Sequence, residues 1–125
     1  MPDPVDKLSP PKYVYRLLAH REWPKAQKSG FIPYGDIDHR DGYLHLSMAD
    51  QVVDTMKNYF AECRDMLALE IQYTDIEEDC RLEAVKTRGG ALFPHYYGQL
   101  PIGYVRNVFP MEGNLSQGFC FGAKI

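Results

Sequence analysis

The sequence predicts an α+β domain: five or six short, mostly antiparallel strands carrying two helices. Three observations point there. Met66–Tyr73 is an apolar-rich run of strand length, followed by an acidic turn. Arg81–Thr87 alternates in polarity with the two-residue period of a strand. Val52, Val53, Met56, Tyr59 and Phe60 recur instead at helical spacing and mark one buried face. At 125 residues the chain reads as one domain. Residues 1–12 are proline-rich and without periodicity, so they read as a flexible tail ahead of a domain over 13–125.

The elements follow in order. Tyr13–Leu18 is a short apolar run and the first strand, with Arg16 inside it. His20–Ser29 reads as a short helix, with Pro24 in its first turn and Gly30 at its end. Phe31–Asp41 holds Pro33, Gly35 and several aspartates and reads as a loop. Tyr43–Leu46 is a strand end. Ser47-Met-Ala-Asp50 is a loose capping box, so Ser47 is expected to cap a helix running to about Phe60. After the strand at Met66–Tyr73, Thr74–Asp79 is an acidic turn and Arg81–Thr87 the next strand. Gly103–Phe109 is the last clear strand. Gly113–Gly122 is glycine-rich, with Phe119 and Phe121 placed to pack back.

Fourteen basic against seventeen acidic residues give a net charge of −3, which argues against nucleic-acid binding driven by global charge. The three cysteines, Cys63, Cys80 and Cys120, are odd in number and lack CxxC spacing. Free, non-catalytic thiols in a reducing cytoplasm are the expectation. Met1–Pro11 has no apolar signal-peptide core, and no run of eighteen apolar residues exists. A soluble cytoplasmic protein with no membrane partner is expected.

Two separated segments carry the chemistry. Gly89-Gly-Ala-Leu-Phe-Pro-His-Tyr-Tyr-Gly-Gln-Leu-Pro101 sets His95 between Pro94 and two tyrosines. Asp41-Gly-Tyr-Leu-His-Leu-Ser47 sets His45 two residues before Ser47, on one side of an extended segment. His95, Tyr96 and Tyr97 offer hydrogen bonds and a stacking face to a ring-bearing ligand. Ser47, at an expected helix start, and His45 can grip a phosphate. Each also has a plain structural reading: a satisfied strand histidine, a helix cap, a packed loop. Arg16 inside a strand of tyrosines and valine needs a carboxylate or an anionic ligand. Glu83 is either a pocket carboxylate or a solvent-facing strand residue. Zinc on His39, His45 and His95 lacks a motif such as HxH or HExxH. A two-histidine phosphoesterase would need a second His-x-Ser/Thr, and His95 is followed by Tyr96-Tyr97.

Tyr15-Arg16, Trp23 with Ala26 and Gly30, Gly42–Ser47 and above all Gly89–Pro101 resemble the family called domain of unknown function 952. The resemblance covers about residues 13–110. That family is in turn similar, at a distance, to ADP-ribosyltransferase-like folds, including RNA 2′-phosphotransferases that consume NAD. The resemblance implies a split pair of small antiparallel sheets around a nucleotide cleft. Arg16 would hold the dinucleotide, His45 and Ser47 would line its nicotinamide side, and Glu83 would polarise a ribose hydroxyl. His95 has no clean counterpart in those folds.

The resulting expectation is a small domain that binds an anionic small molecule or nucleotide such as NAD. The cleft would be lined by Arg16, His45, Ser47, Glu83, His95, Tyr96 and Tyr97, with His45, His95 and Glu83 as its catalytic candidates. The leading alternative is a non-catalytic binding module, and a phosphoesterase-like hydrolase follows.

Overall fold

The computed structural model describes residues 10–114 and 118–124. Most of the expected tail, residues 1–9, lies outside them.

The architecture is mixed α+β with two antiparallel sheets. The larger sheet has the order β3-β1-β4-β7-β8: Ser47–Met48, Tyr13–Ala19, Met66–Gln72, Val105–Asn114 and Gly118–Phe121. The smaller has the order β2-β6-β5: Leu44–His45, Ala91–Tyr96 and Cys80–Val85. Four α-helical segments accompany them: α1 (Trp23–Ser29), α2 (Asp36–Asp41), α3 (Val52–Tyr59) and α4 (Tyr73–Ile76). Among the described residues, no helix is long and apolar enough to cross a membrane.

The apolar run in β4 is continuous because both faces of this strand are covered. Leu67, Leu69 and Ile71 face the core shared with the smaller sheet, where they meet Leu44, Tyr96 and Cys80. Met66 and Ala68 face the opposite way, onto Val52 and Met56 of α3 and onto Phe119 of β8. β1 splits in the same manner, with Val14 and Leu18 on one side and Tyr15 and Leu17 on the other.

Four local expectations are corrected. Phe31–Asp41 is not all loop, since Asp36–Asp41 winds into α2 and ends at Gly42, whose φ of 84° a side chain rarely adopts. Ser47 does not cap a helix. It lies in β3 opposite Tyr15, and α3 begins only at Val52 after a 3₁₀ turn at Ala49–Gln51. The turn after β4 opens with the single helical turn α4. The glycine-rich tail is sheet: β7 extends to Asn114 and β8 returns beside it.

Candidate functional site

The smaller sheet turns Leu44, Tyr96 and Cys80 into the core. Its alternate residues therefore fall on the outer face. His45 of β2 lies directly opposite His95 of β6, which in turn lies opposite Arg81 of β5. Glu83 and Phe93 sit two residues further along the same face. Fifty residues of chain separate the two histidines, and the strand register brings their ring centroids to 5.6 Å. The left-handed Gly42 returns the chain so that Tyr43 stacks on His95 at 4.0 Å and tilts against His45 at 4.7 Å.

Each histidine is held at Nδ1 by a carboxylate from another element. For His95 the partner is Glu83, with Nδ1 and Oε1 2.8 Å apart. An ionised carboxylate only accepts, so Nδ1 carries a proton, and the neutral ring then keeps its lone pair on Nε2. That Nε2 has no hydrogen-bond partner among the described residues. Burial pushes the His95 imidazole below its usual range, against the pull of Glu83. The Tyr97 hydroxyl donates to the same Glu83 oxygen at 2.5 Å. Tyr97 and His95 together hold the Glu83 carboxyl below the usual range, and the Tyr97 hydroxyl is pushed up to about 12 in return.

For His45 the Nδ1 partner is Asp38 Oδ1 at 2.6 Å, and Nε2 faces Asp41 Oδ2 at 2.9 Å. Asp38 is 3% exposed and accepts also from the Gly35 and His45 N–H groups and from both terminal nitrogens of Arg16. Burial works against its charge. The hydrogen bond from His45, the Arg16 charge and the remaining donors outweigh that, and the carboxyl lies well below the usual carboxylate range.

Arg16 is accordingly matched by the protein itself. Its guanidinium donates to Asp38 and to the carbonyls of His45 and Pro33, and its Nε is buried without a partner among the described residues. Ser47 is 5% exposed, with Oγ 3.3 Å from Thr55 Oγ1. Tyr96 is a correction: it is packed in the core beside Leu44 and Cys80, because alternation along β6 points it away from His95. His39 sits in α2 with its ring 5.4 Å from Tyr34. Among the described residues, no three or more His, Cys, Asp or Glu groups are placed to hold a metal. All three cysteines are free. Cys63 and Cys120 are exposed, while Cys80 is in the core.

Sequence reading passed over Asp38, Asp41 and Arg88. The acid spacing Asp38–Asp41, ahead of Gly42, was the available signal, together with the need of Arg16 for a carboxylate. Arg88 lies over the Phe93 ring at 4.5 Å, and Arg81 over Tyr97 at 5.3 Å. Neither has a carboxylate within ion-pair distance among the described residues. The outer face thus carries a buried imidazole whose Nε2 has no partner among the described residues, flanked by two arginines without a carboxylate at ion-pair distance among them.

A family model described as "Protein of unknown function (DUF952)" matches residues 17–108. No curated protein matches the chain. Among solved structures, the crystal structure of protein CC0527 from Caulobacter crescentus is similar at 28% identity and a TM-score of 0.78. That match covers 86% of this chain and 93% of the other. The solution NMR structure of the same protein gives a TM-score of 0.74 over 86% and 90% of the two chains.

Proposed function

The chain belongs to the DUF952 family of unknown function, and we propose that its outer sheet face binds a small hydroxylated anion, such as a sugar phosphate or nucleotide. One observation carries the reading: His95 is buried and fixed through Nδ1 by Glu83, while its Nε2 has no partner among the described residues. A lone pair held in that manner accepts a ligand hydroxyl and, with a reactive ligand, its proton. Arg81 and Arg88 supply the charge for the anionic group. Arg16 does not, since Asp38 already occupies it.

The NAD-consuming reading implied by the distant fold similarity rested on Arg16 as the dinucleotide holder. NAD therefore enters as one arm of the test. Thermal unfolding is followed with inorganic phosphate, ribose 5-phosphate, AMP and NAD. A ligand at 100 times its Kd stabilises by about 2.7 kcal/mol, a clear shift for a chain of this size. His95→Asn and the double variant Arg81→Gln/Arg88→Gln should abolish the shift, and Arg16→Lys should keep it. No shift with any of the four would overturn the reading.

A further inference from the structure

Two carboxylate–histidine units face each other across one strand pair, and they are not held alike. Both Nδ1 atoms are taken, by Asp38 at 2.6 Å and by Glu83 at 2.8 Å. The Nε2 atoms differ. That of His45 meets Asp41 at 2.9 Å, and that of His95 meets nothing among the described residues. A ring flanked by two acceptor-only carboxylates satisfies both only with a proton on each nitrogen. Burial disfavours a charge on His95, and the neutral ring with Nδ1 on Glu83 keeps its lone pair on Nε2. The groups facing His45 are Asp38, Asp41 and Tyr43, with Arg16 on Asp38 and Arg40 on Asp41. Those facing His95 are Glu83, Tyr43 and His45 itself, with Asp41 close enough to act on it by charge, Tyr97 on Glu83 and Arg81 over Tyr97.

We propose that His45 and His95 are a preset acid and base that cleave a phosphate ester bound on this face. The proposal rests on the anion-binding reading above and adds a reaction to it. Water gives a proton to His95 Nε2, and its oxygen forms the new bond to phosphorus. The ester P–O bond breaks, and the leaving oxygen takes the Nε2 proton of His45. The leaving oxygen displaces Asp41 from that nitrogen while Asp38 keeps its hold on Nδ1. Ester plus water becomes alcohol plus phosphate. One proton returning through solvent from His95 to His45 restores both rings, and no electron is gained or lost. Glu83 and Asp38 are positioning residues.

Two measurements test the pair. The first is 15N NMR of histidine-labelled whole protein at pH 7, which needs no variant. His45 should show protons on both nitrogens, and His95 a proton on Nδ1 only. Both should respond to inorganic phosphate. Two neutral rings, or a cationic His95, would overturn the pairing even where phosphate binds, leaving the binding reading intact. The second is release of 4-nitrophenol from 4-nitrophenyl phosphate and bis(4-nitrophenyl) phosphate. His45→Asn and His95→Asn should each lower turnover at least 100-fold. The double variant should be no slower than either single one, as for residues acting as a unit. Glu83→Gln should shift the acidic limb of the pH–rate profile. Absence of release from both esters by the native protein would overturn the reaction. Absence of any phosphate response would remove the binding reading as well.

Discussion

Nη2 of Arg16 lies 2.7 Å from Oδ2 of Asp38, with the two side chains 12% and 4% exposed. The pair ties β1 to α2, and through Asp38 it fixes the backbone and ring of His45. Breaking a buried pair leaves an uncompensated charge and costs about 3–5 kcal/mol. Asp38→Ala should destabilise by that order in urea unfolding. Arg16→Lys should also destabilise, because a point charge cannot make the two-pronged contact. Phosphate affinity should survive Arg16→Lys. A tenfold loss would return Arg16 to the ligand.

Acid should weaken the fold in two steps. The folded pKa of His95 is lowered, so the unfolded chain binds the proton first. Its contribution is whole above about pH 6.5, the unfolded value, and is lost as pH falls through the lowered folded one. Asp38 is depressed likewise. Its contribution is whole above about pH 4 and drains away below that. Urea midpoints between pH 3 and 8 should therefore fall in both windows. His95→Asn should flatten the upper window, and Asp38→Asn should shrink the lower one, to which Glu83 and Asp41 also contribute. Curves that stay parallel to the native one would contradict both assignments.

The helix start assigned to Ser47 belongs to Gln51. Its Oε1 accepts from the Met48 N–H at 2.9 Å, and its Nε2 donates to the Leu92 carbonyl at 2.7 Å, which ties the first turn to β6. At about 0.5–1.5 kcal/mol for each hydrogen bond, Gln51→Ala should cost about 1–3 kcal/mol. Ser47→Ala removes only the 3.3 Å contact with Thr55 and should cost less. Denaturant midpoints of the two variants give the order, and the reverse order would restore Ser47 as the cap.

What was legible in the sequence was whatever periodicity or composition encodes. The strand Met66–Gln72, the apolar stripe of α3 and the outward pairing of His45 with a second aromatic segment all left such traces. The site's counter-charges did not. Asp38 and Asp41 lie in a stretch whose Pro33, Gly35 and aspartates read as loop, and only tertiary contact makes α2 worth forming. Arg16 announced a missing partner without saying whether protein or ligand supplied it. Tyr96 and Tyr97 are indistinguishable by residue type. The strand period decides that one is core and the other reaches Glu83. Glu70 hid in an apolar run, since one acid among five buried neighbours looks like an edge position.

Glu70 carries the last prediction. Its register partners are Tyr15 on β1 and Asn107 on β7, one residue from each of three adjacent strands. The Tyr15 hydroxyl donates to Oε2 and the Asn107 amide to Oε1, both at 2.7 Å. The carboxylate is 8% exposed, and among the described residues no cation pairs with it. Burial, and next the Glu70 hydrogen bond, push the Tyr15 hydroxyl far above its usual range. Tyr15→Phe leaves a buried oxygen one donor short and should cost about 1–3 kcal/mol. Glu70→Gln keeps an acceptor for Asn107 and removes an unpaired buried charge, so it should cost less than Tyr15→Phe. In the Glu70→Gln background the further change Tyr15→Phe should cost less than it does alone, because an amide is easier to leave unsatisfied than a carboxylate. Strict additivity in urea unfolding would mean that the hydroxyl and the carboxylate do not stabilise one another.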